Sequence, residues 1–543
     1  MSGKSKQTKL QAPKGTRDLY PEDVLKRRYI QNAWRDASLR CGFDEIEGPT
    51  FESTELYSVK SGEGILGELF QAYSGKSPNE VEQVQETGRA PYALRPEFTP
   101  TLARMYAAHA KQLPRPCKWF TAGPYFRAER PQRGRLREFL QWNVDVIGLP
   151  GEGDSSEAKA QMDAETIECC VRLLDNLGIS ESQAKIHISE RDFITTALNY
   201  CGVKQSQVQD VLVLLDKRSK LPESKFREQV YESRFELDIQ RFDHTLSVLV
   251  KNFNRDLGST RLRKTNRKFG IGELFKAMEG KQSKDFTFDE IVETASEFAE
   301  NYDEESVART FSFFDFQNML DGIDTSCGSG WYEFDPSIVR GLAYYTGTVF
   351  EALADGERAV AGGGRYDKLI ELMGGPPTPA VGFAMGDVVL GNLLEDKGLM
   401  PQGAELMEAA ARPQASIRPE AFVVPNGDDD NEALVHTLVA NLRRGVESEQ
   451  WRLRDERKPW DRDRYSVRPL HARVSYKSTR NLGKLRADAE KQHAKFFVEI
   501  HADNKVLITD MDKRESITSD VGSFHVDPSA DNYVGRVITE LTR

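Results

Sequence analysis

Residues 117–148 read Cys117-Lys-Trp-Phe-Thr-Ala-Gly-Pro-Tyr-Phe-Arg127-Ala-Glu129-Arg130-Pro-Gln132-Arg133-Gly134-Arg135-Leu-Arg137-Glu-Phe139-Leu-Gln141-Trp-Asn143-Val-Asp145-Val-Ile-Gly148. Two strand-like runs flank a turn carrying Pro131 and Gly134, so the spacing predicts an antiparallel hairpin. The second run alternates: Leu140, Trp142, Val144 and Val146 point one way, and Phe139, Gln141, Asn143 and Asp145 the other. The polar face of a half-buried strand usually looks at solvent and carries charge. This one offers an aromatic ring, two amides and one carboxylate, with Arg127, Glu129, Arg133 and Arg135 back along the hairpin. Such a row can stack a base on Phe139 and clamp phosphates with guanidinium groups. Gln141 and Asp145, roughly 13 Å apart at about 3.3 Å per residue, can hold a small polar substrate. The plainer reading of the block is a solvated charged hairpin.

A second block runs Asp335-Pro-Ser-Ile-Val-Arg340-Gly-Leu-Ala343-Tyr344-Tyr345-Thr-Gly-Thr-Val-Phe-Glu351 and continues at Ala361-Gly-Gly-Gly364-Arg365-Tyr366-Asp367. It closes with Thr378-Pro-Ala-Val-Gly382-Phe-Ala-Met-Gly386. Glycine runs let backbones pack closely or approach a ligand, although a tight strand turn explains them as well. By contrast, Gly62-Glu-Gly64-Ile-Leu-Gly67 matches G-x-G-x-x-G only literally. Glu55–Ser61 before it is a poor strand and polar sequence follows, so a flexible loop is expected rather than a dinucleotide site.

Around these blocks, residues 23–41 read as a helix with Ile30, Trp34 and Ala37 on one face, followed by a strand candidate from Phe43 to Gly48. A second helix covers 156–177, closed by Gly178. Between 191 and 325 charged, helix-compatible sequence dominates, which suggests a helical insertion. The stretch 398–419, with Pro401, Pro413 and Pro419, reads as a linker. From Glu420 a strand–helix alternation begins, with strands at 421–424 and 496–500 and helices at 431–443 and 481–494. It predicts a small α/β domain over 420–543.

The chain has 543 residues, enough for three or four domains at roughly one per 150 residues. Its 74 Lys+Arg against 85 Asp+Glu leave a net charge of −11, which excludes a generally sticky nucleic-acid binder. No run of apolar residues is long enough to span a membrane. Residues 1–11 read as a loose basic tail rather than a secretory signal. Six cysteines without C-x-x-C spacing and eight histidines without ligand spacing point to thiols in a reducing cytoplasm and to no structural metal.

Taken together, Lys14-Gly-Thr-Arg-Asp18, Arg95-Pro-Glu97-Phe-Thr99, the Phe-Arg-x-Glu-Arg hairpin, Arg-Gly-Leu-x-Tyr-Tyr and Gly-Gly-Arg-Tyr-Asp closely resemble the histidyl-tRNA synthetases. These are class II aminoacyl-tRNA synthetases, and the resemblance covers almost the whole chain. It implies an α+β fold: an antiparallel β-sheet catalytic domain over 12–190 and 326–397, interrupted by the helical insertion at 191–325. A C-terminal α/β anticodon-binding domain follows, to which Ser475–Lys484 is similar. The helix and strand ending at Pro49 resemble class motif 1, which builds the homodimer interface of that class.

The implied reaction joins L-histidine to histidine tRNA through histidyl-adenylate, with ATP and Mg2+ as cofactors and pyrophosphate and AMP as products. Carried over by position, Arg127 and Arg340 are the catalytic pair on the α-phosphate, Arg340 also facing histidine. Glu129, Arg135 and Phe139 hold ATP with Arg127. Glu97 and Thr99 take the histidine ammonium, and Gln141 helps hold the amino acid. Asp145, Tyr344, Tyr345 and Tyr366 line the imidazole side, where a carboxylate suits a ring N–H. Arg130, Gln132, Arg133 and Arg137, with Lys477, Arg480 and Lys484, are the expected tRNA contacts. No metal is held by protein side chains alone.

Two positions depart from the family's commonest form. Ala343 stands where an aspartate is usual, and Val389 stands in motif 3 where an arginine usually grips the γ-phosphate. A minority branch of the family carries the same pair of changes. Losing one phosphate-binding cation costs on the order of 10²–10³ in rate if nothing replaces it. The motif 2 arginines or magnesium are the expected replacements. Residues 443–473, basic with Trp451, Trp460 and Tyr465 interleaved, suit stacking on anticodon bases or a salt-bridged solvent loop. Arg261, Arg263, Lys264, Arg267 and Lys268 suit the tRNA acceptor arm or a solvated face. The rival reading is a synthetase-like regulatory subunit that binds histidine and controls the first enzyme of histidine biosynthesis. Val389 favours it, and the Lys477–Lys484 motif with Arg127, Arg135 and Arg340 opposes it.

Overall fold

The computed structural model describes residues 11–61, 67–151, 155–216, 218, 221–233, 235, 237, 239–240, 242–243, 313–328, 330–338, 345–412, 414–426, 430–477, 479–501, 505–517 and 524–542. Arg340, Ala343 and Tyr344 lie outside the described residues, as do the Arg261–Lys268 cluster, residues 62–66 of the glycine-rich stretch and residues 1–10 of the basic tail.

The alternation in 138–147 decides the architecture. Eight strands form one sheet: β1 (Asp44–Glu45), β2 (Cys117–Phe126), β3 (Glu138–Ile147), β4 (Ala184–Glu190), β5 (Tyr332–Phe334), β6 (Thr348–Ala354), β7 (Ala361–Arg365) and β8 (Ala380–Gly386). Their order is β1-β2-β3-β8-β7-β6-β4-β5. All interior pairs are antiparallel, and only the two outermost pairs, β1 with β2 and β4 with β5, run parallel. This is the mixed, antiparallel-centred α+β class expected.

Leu140, Trp142, Val144 and Val146 are buried under two helices, α1 (Pro21–Arg40) and α2 (Ser156–Asn176). Trp34 of α1 stacks on Trp142 with ring centroids 6.2 Å apart, and Trp142 Nε1 donates to Ser38 Oγ at 2.9 Å. Satisfying that N–H lets a large ring sit fully buried without leaving an orphan donor. Ser155 caps α2 by accepting from the Ala158 amide, and Gly178, at φ +82°, ends it as the sequence predicts.

Helices at Arg191–Tyr200, Val208–Asp216 and Glu223–Glu232 open the expected insertion, and α3 (Phe313–Cys327) closes it along α2. Phe193, Ile194 and Leu198 from the first of these, and Leu212 from the second, join the same apolar core as the sheet.

Two local readings change. Only Asp44 and Glu45 of the 43–48 candidate pair as strand, because the Phe43 amide bonds back to the Ser38 carbonyl at the end of α1 and Pro49 ends the run. Glu55–Ser61, a poor strand by sequence, lies in a helix, Thr54–Ser61. The 398–419 segment carries a helix, α5 (Gly403–Ala410), whose Leu406 and Ala409 are buried, packed beside α1. Its prolines flank that helix rather than interrupt it, so proline content misled the linker reading.

The C-terminal domain is the α/β unit expected. Strands β9 (Ala421–Pro425), β10 (Ala472–Val474), β11 (Phe496–Ile500), β12 (Lys505–Asp510) and β13 (Glu515–Ile517) follow the order β10-β9-β11-β12-β13. Strand β9 is parallel to both neighbours, with helices α6 (Asp430–Arg444) and α7 (Leu482–Lys491) against the sheet. Residues 443–473 are folded. Trp451 is buried, its Nε1 bonded to Asp461 at 3.0 Å, while Lys458 pairs with Glu405 at 2.6 Å. The stretch is ion-paired as expected, but it is not a solvent loop: it holds a short helix, Glu449–Arg452, and a strand pair, and Trp451 is used inside the protein.

Buried charge joins the two domains. Glu168 of α2 takes Arg443 of α6 at 3.0 Å. Glu165, one turn earlier, accepts from Lys118 Nζ at 2.7 Å and from Tyr476 Oη at 2.6 Å. Burial alone raises the Glu165 carboxyl, but Lys118 and Arg443 outweigh it and bring the group down to about 2.

Candidate active site

The face of β3 opposite the core forms the floor of a cleft of about 370 Å³. Phe139, Gln141, Asn143 and Asp145 all line it, so the face that simple alternation assigns to solvent is enclosed instead. Gly382 sits opposite Asp145 on β8, and a Cβ there would meet the Asp145 carboxylate. Glycine at that register is what lets the carboxylate lie flat in the sheet face. Tyr366, itself buried, donates its hydroxyl to Asp145 Oδ1. Burial, and then the neighbouring carboxylate, push the Tyr366 phenol well above its ordinary range, so it stays a donor.

At the other end of β3 the cleft turns cationic. Arg127 donates from Nε to the Pro96 carbonyl at 3.1 Å and lies 5.1 Å over the Phe139 ring. Its second nitrogen is 3.5 Å from Gln141 Oε1. Burial lowers its pKa, and Glu97 and Glu129 counter that shift. Arg135 forms an ion pair with Glu129. Gln141 donates to Asn143 Oδ1 at 2.8 Å, which fixes the amide orientation.

Glu97 reaches the cleft from the loop before helix Thr99–His109, and Thr99 from the helix's first residue. That loop is held by Arg95, almost fully buried, which donates to the Pro124 carbonyl at 2.8 Å and to the Gly48 carbonyl at 3.0 Å. A Cβ on Gly123 would fall 2.3 Å from Arg95 Nη2, so Gly123 clears its path. Arg95 was legible only as part of a motif, and its placing role comes from the structure.

Of the expected site residues, Glu97, Thr99, Arg127, Arg135, Phe139, Gln141, Asp145, Tyr345 and Tyr366 line this one cleft. Glu129 joins it through Arg135. Asn143, Glu351, Arg358 and Val389 line it too. Asn143 was legible on the polar face and Glu351 at the end of its motif, while nothing in the sequence marks Arg358.

The expected tRNA contacts spread more widely. Arg130 and Gln132 are exposed. Arg133 is bound to Glu357 at 2.6 Å and Asp396 at 2.5 Å, and Arg137 donates to the Glu129 carbonyl at 3.0 Å. Lys477 and Arg480 line a second cleft, of about 400 Å³, between the domains, and Lys484 is exposed on α7.

A family model described as histidyl-tRNA synthetase matches residues 15–230 and 313–387. The chain is 36% identical over 389 residues to a histidine–tRNA ligase from Opitutus terrae, covering 71% of this chain and 75% of that one. The chain belongs to the histidyl-tRNA synthetases. A relative of this synthetase from Pyrococcus furiosus, also named histidine–tRNA ligase, is 30% identical over 80% of this chain and 84% of its own. The chloroplastic/mitochondrial ligase of Arabidopsis thaliana is 32% identical over 73% of this chain and 68% of its own.

The synthetase fold is also met in a histidine–tRNA ligase subunit from Alicyclobacillus acidocaldarius, with TM-score 0.50 and 21% identity, covering 73% of this chain and 100% of that one. A structure titled ATP phosphoribosyltransferase regulatory subunit/histidyl-tRNA synthetase from Bacillus halodurans has TM-score 0.50 and 19% identity, covering 91% of this chain and 99% of that one.

Proposed function

We propose that this synthetase joins L-histidine to histidine tRNA in two steps within the β3 cleft. In the first, a histidine carboxylate oxygen attacks the α-phosphorus of ATP and the bond to the bridging oxygen breaks, releasing pyrophosphate and histidyl-adenylate. In the second, the terminal ribose hydroxyl of the tRNA takes the histidyl group and AMP leaves. The cleft's division of charge carries the reading. Arg127 and Arg135 stand at one end of the cleft and Asp145 with Tyr366 at the other, over the floor formed by β3.

In this reading adenine stacks on Phe139, while Arg127 meets the α-phosphate and stabilises the charge that grows on its oxygens. Glu129 orients Arg135 toward the nucleotide. Glu97 and Thr99 hold the substrate ammonium, Gln141 its carboxylate region, and Asp145 accepts the imidazole N–H with Tyr345 and Tyr366 beside it. Arg340 and Tyr344 keep the roles their motif implies. An amino acid without a ring N–H forgoes the bond to the buried Asp145 carboxylate, which is the source of selectivity.

Magnesium comes with ATP and lends positive charge to its phosphates. Glu351, a carboxylate in the cleft wall, is the hard oxygen donor suited to it. Arg130, Gln132, Arg133 and Arg137 approach the acceptor end of the tRNA, and Lys477, Arg480 and Lys484 its anticodon. Two chains pair, supported by the exposed aromatic pair Phe51 and Tyr92, edge to face at 5.7 Å on a small outer sheet. Cysteines without pairing spacing support a cytoplasmic setting, and among the described residues no helix is long and apolar enough to cross a membrane. The test is histidine-dependent ATP–pyrophosphate exchange: a signal with histidine and none with other amino acids supports the reading, and no exchange overturns it.

A further inference from the structure

Val389 leaves a question at the phosphate end of the cleft, and the answer is on the facing wall. A Cβ placed on Gly134, in the hairpin turn, would lie 3.2 Å from Val389 Cγ2 and 3.6 Å from Arg358 Cδ. The side chains of Val389 and Arg358 thus flank one backbone point, Val389 from α4 (Asp387–Asp396) and Arg358 from the turn between β6 and β7. Both line the cleft.

Three guanidinium groups face this cleft among the described residues: Arg127, Arg135 and Arg358. Arg127 is tied to the Pro96 carbonyl and to Phe139, and Arg135 is neutralised by Glu129. The Arg358 side chain, exposed, makes no hydrogen bond or ion pair among the described residues. Its own neighbour Glu357 is taken by Arg133 at 2.6 Å, and Asp396 by the same arginine at 2.5 Å. Those bonds clip the hairpin turn to the β6–β7 turn and divert two nearby carboxylates from Arg358. A long cation with no partner among the described residues, at the mouth of a cleft whose inner arginine suits an α-phosphate, is placed for the far end of a polyphosphate.

We infer that Arg358 binds the terminal phosphate of ATP, supplying from the β6–β7 turn the charge that position 389 lacks. The inference rests on the adenylation reading above. Three variants test it: R358A, V389R and R358A/V389R. Exchange is followed as a function of ATP and pyrophosphate, and ATP and AMP binding are measured directly by calorimetry on the full chain.

R358A is expected to raise KM for ATP and pyrophosphate about 10- to 100-fold, up to the lower end of the 10²–10³ loss that follows removal of one charge-stabilising donor. AMP affinity and KM for histidine stay within twofold, because neither ligand carries a γ-phosphate. Restoring a cation from the other side, in R358A/V389R, regains at least tenfold. Unchanged ATP binding in R358A overturns the inference, as does equal weakening of ATP and AMP. A wild-type chain without exchange would sink the adenylation reading, and the ATP-against-AMP comparison would still decide Arg358.

Discussion

A Cβ added to Gly382 would sit 2.0 Å from Oδ1 of Asp145, its cross-strand partner. The carboxylate occupies the volume any other residue would need, so a β-strand glycine, normally a weak point, here makes room for the acid at the floor of the cleft.

Gly382→Ala therefore displaces the carboxylate from its bond with Tyr366, and KM for histidine is expected to rise at least tenfold with KM for ATP little changed. Asp145→Asn keeps the shape and removes the charge. It serves as the second variant, since it disturbs the sheet least, and should cost 10²–10³ in kcat/KM for histidine. Steady-state exchange kinetics read both, and an unaltered histidine KM in Asp145→Asn would remove this residue from the substrate's contacts.

Arg127→Gln should lower kcat for exchange by about 10²–10³ while histidine binding, measured without ATP, stays near wild type. Loss confined to KM for histidine would contradict a role at the phosphate.

The domain contact at Glu165 carries a pH dependence with a definite sign. Its folded value, about 2, lies below the ordinary 4.5. The stabilisation is therefore fully present above about pH 4.5 and is lost as the pH falls through about 2. Lys118→Met removes the largest favourable partner and should shift that loss upward by about one pH unit or more. Hydrogen exchange across α2 and β10, followed during acid titration, reads the change; identical midpoints for variant and wild type would contradict it.

Glu168 and Arg443 are both nearly inaccessible. Glu168→Ala leaves Arg443 buried without its carboxylate and should cost about 3–5 kcal/mol by denaturant titration. Replacing both with apolar residues of similar volume should cost far less, and equal losses in single and double variants would show that the pair does not act as a pair.

Much of this geometry was legible because it obeys a period. The alternation of Phe139, Gln141, Asn143 and Asp145 put four cleft residues on one face before any tertiary contact was known, and the Trp34 face of α1 followed from helical spacing. What the period does not encode is which polar face is enclosed: β8, β7 and β6 close over the hairpin from more than 200 residues away in the chain. Arg358 was silent for a related reason, since one arginine in a polar turn has neither motif nor repeat, and only packing against Gly134 gives it meaning. Helix α5 was hidden because proline content was weighed above the Leu406 and Ala409 spacing between the prolines.

The central claim is that one cleft activates histidine and passes it on to tRNA. Histidine-dependent ATP–pyrophosphate exchange, with charging of histidine tRNA followed in the same preparation, tests it most directly. The account predicts exchange that needs histidine and a charged tRNA product. Histidine binding with neither exchange nor charging would contradict it and leave the cleft as a sensor for the amino acid.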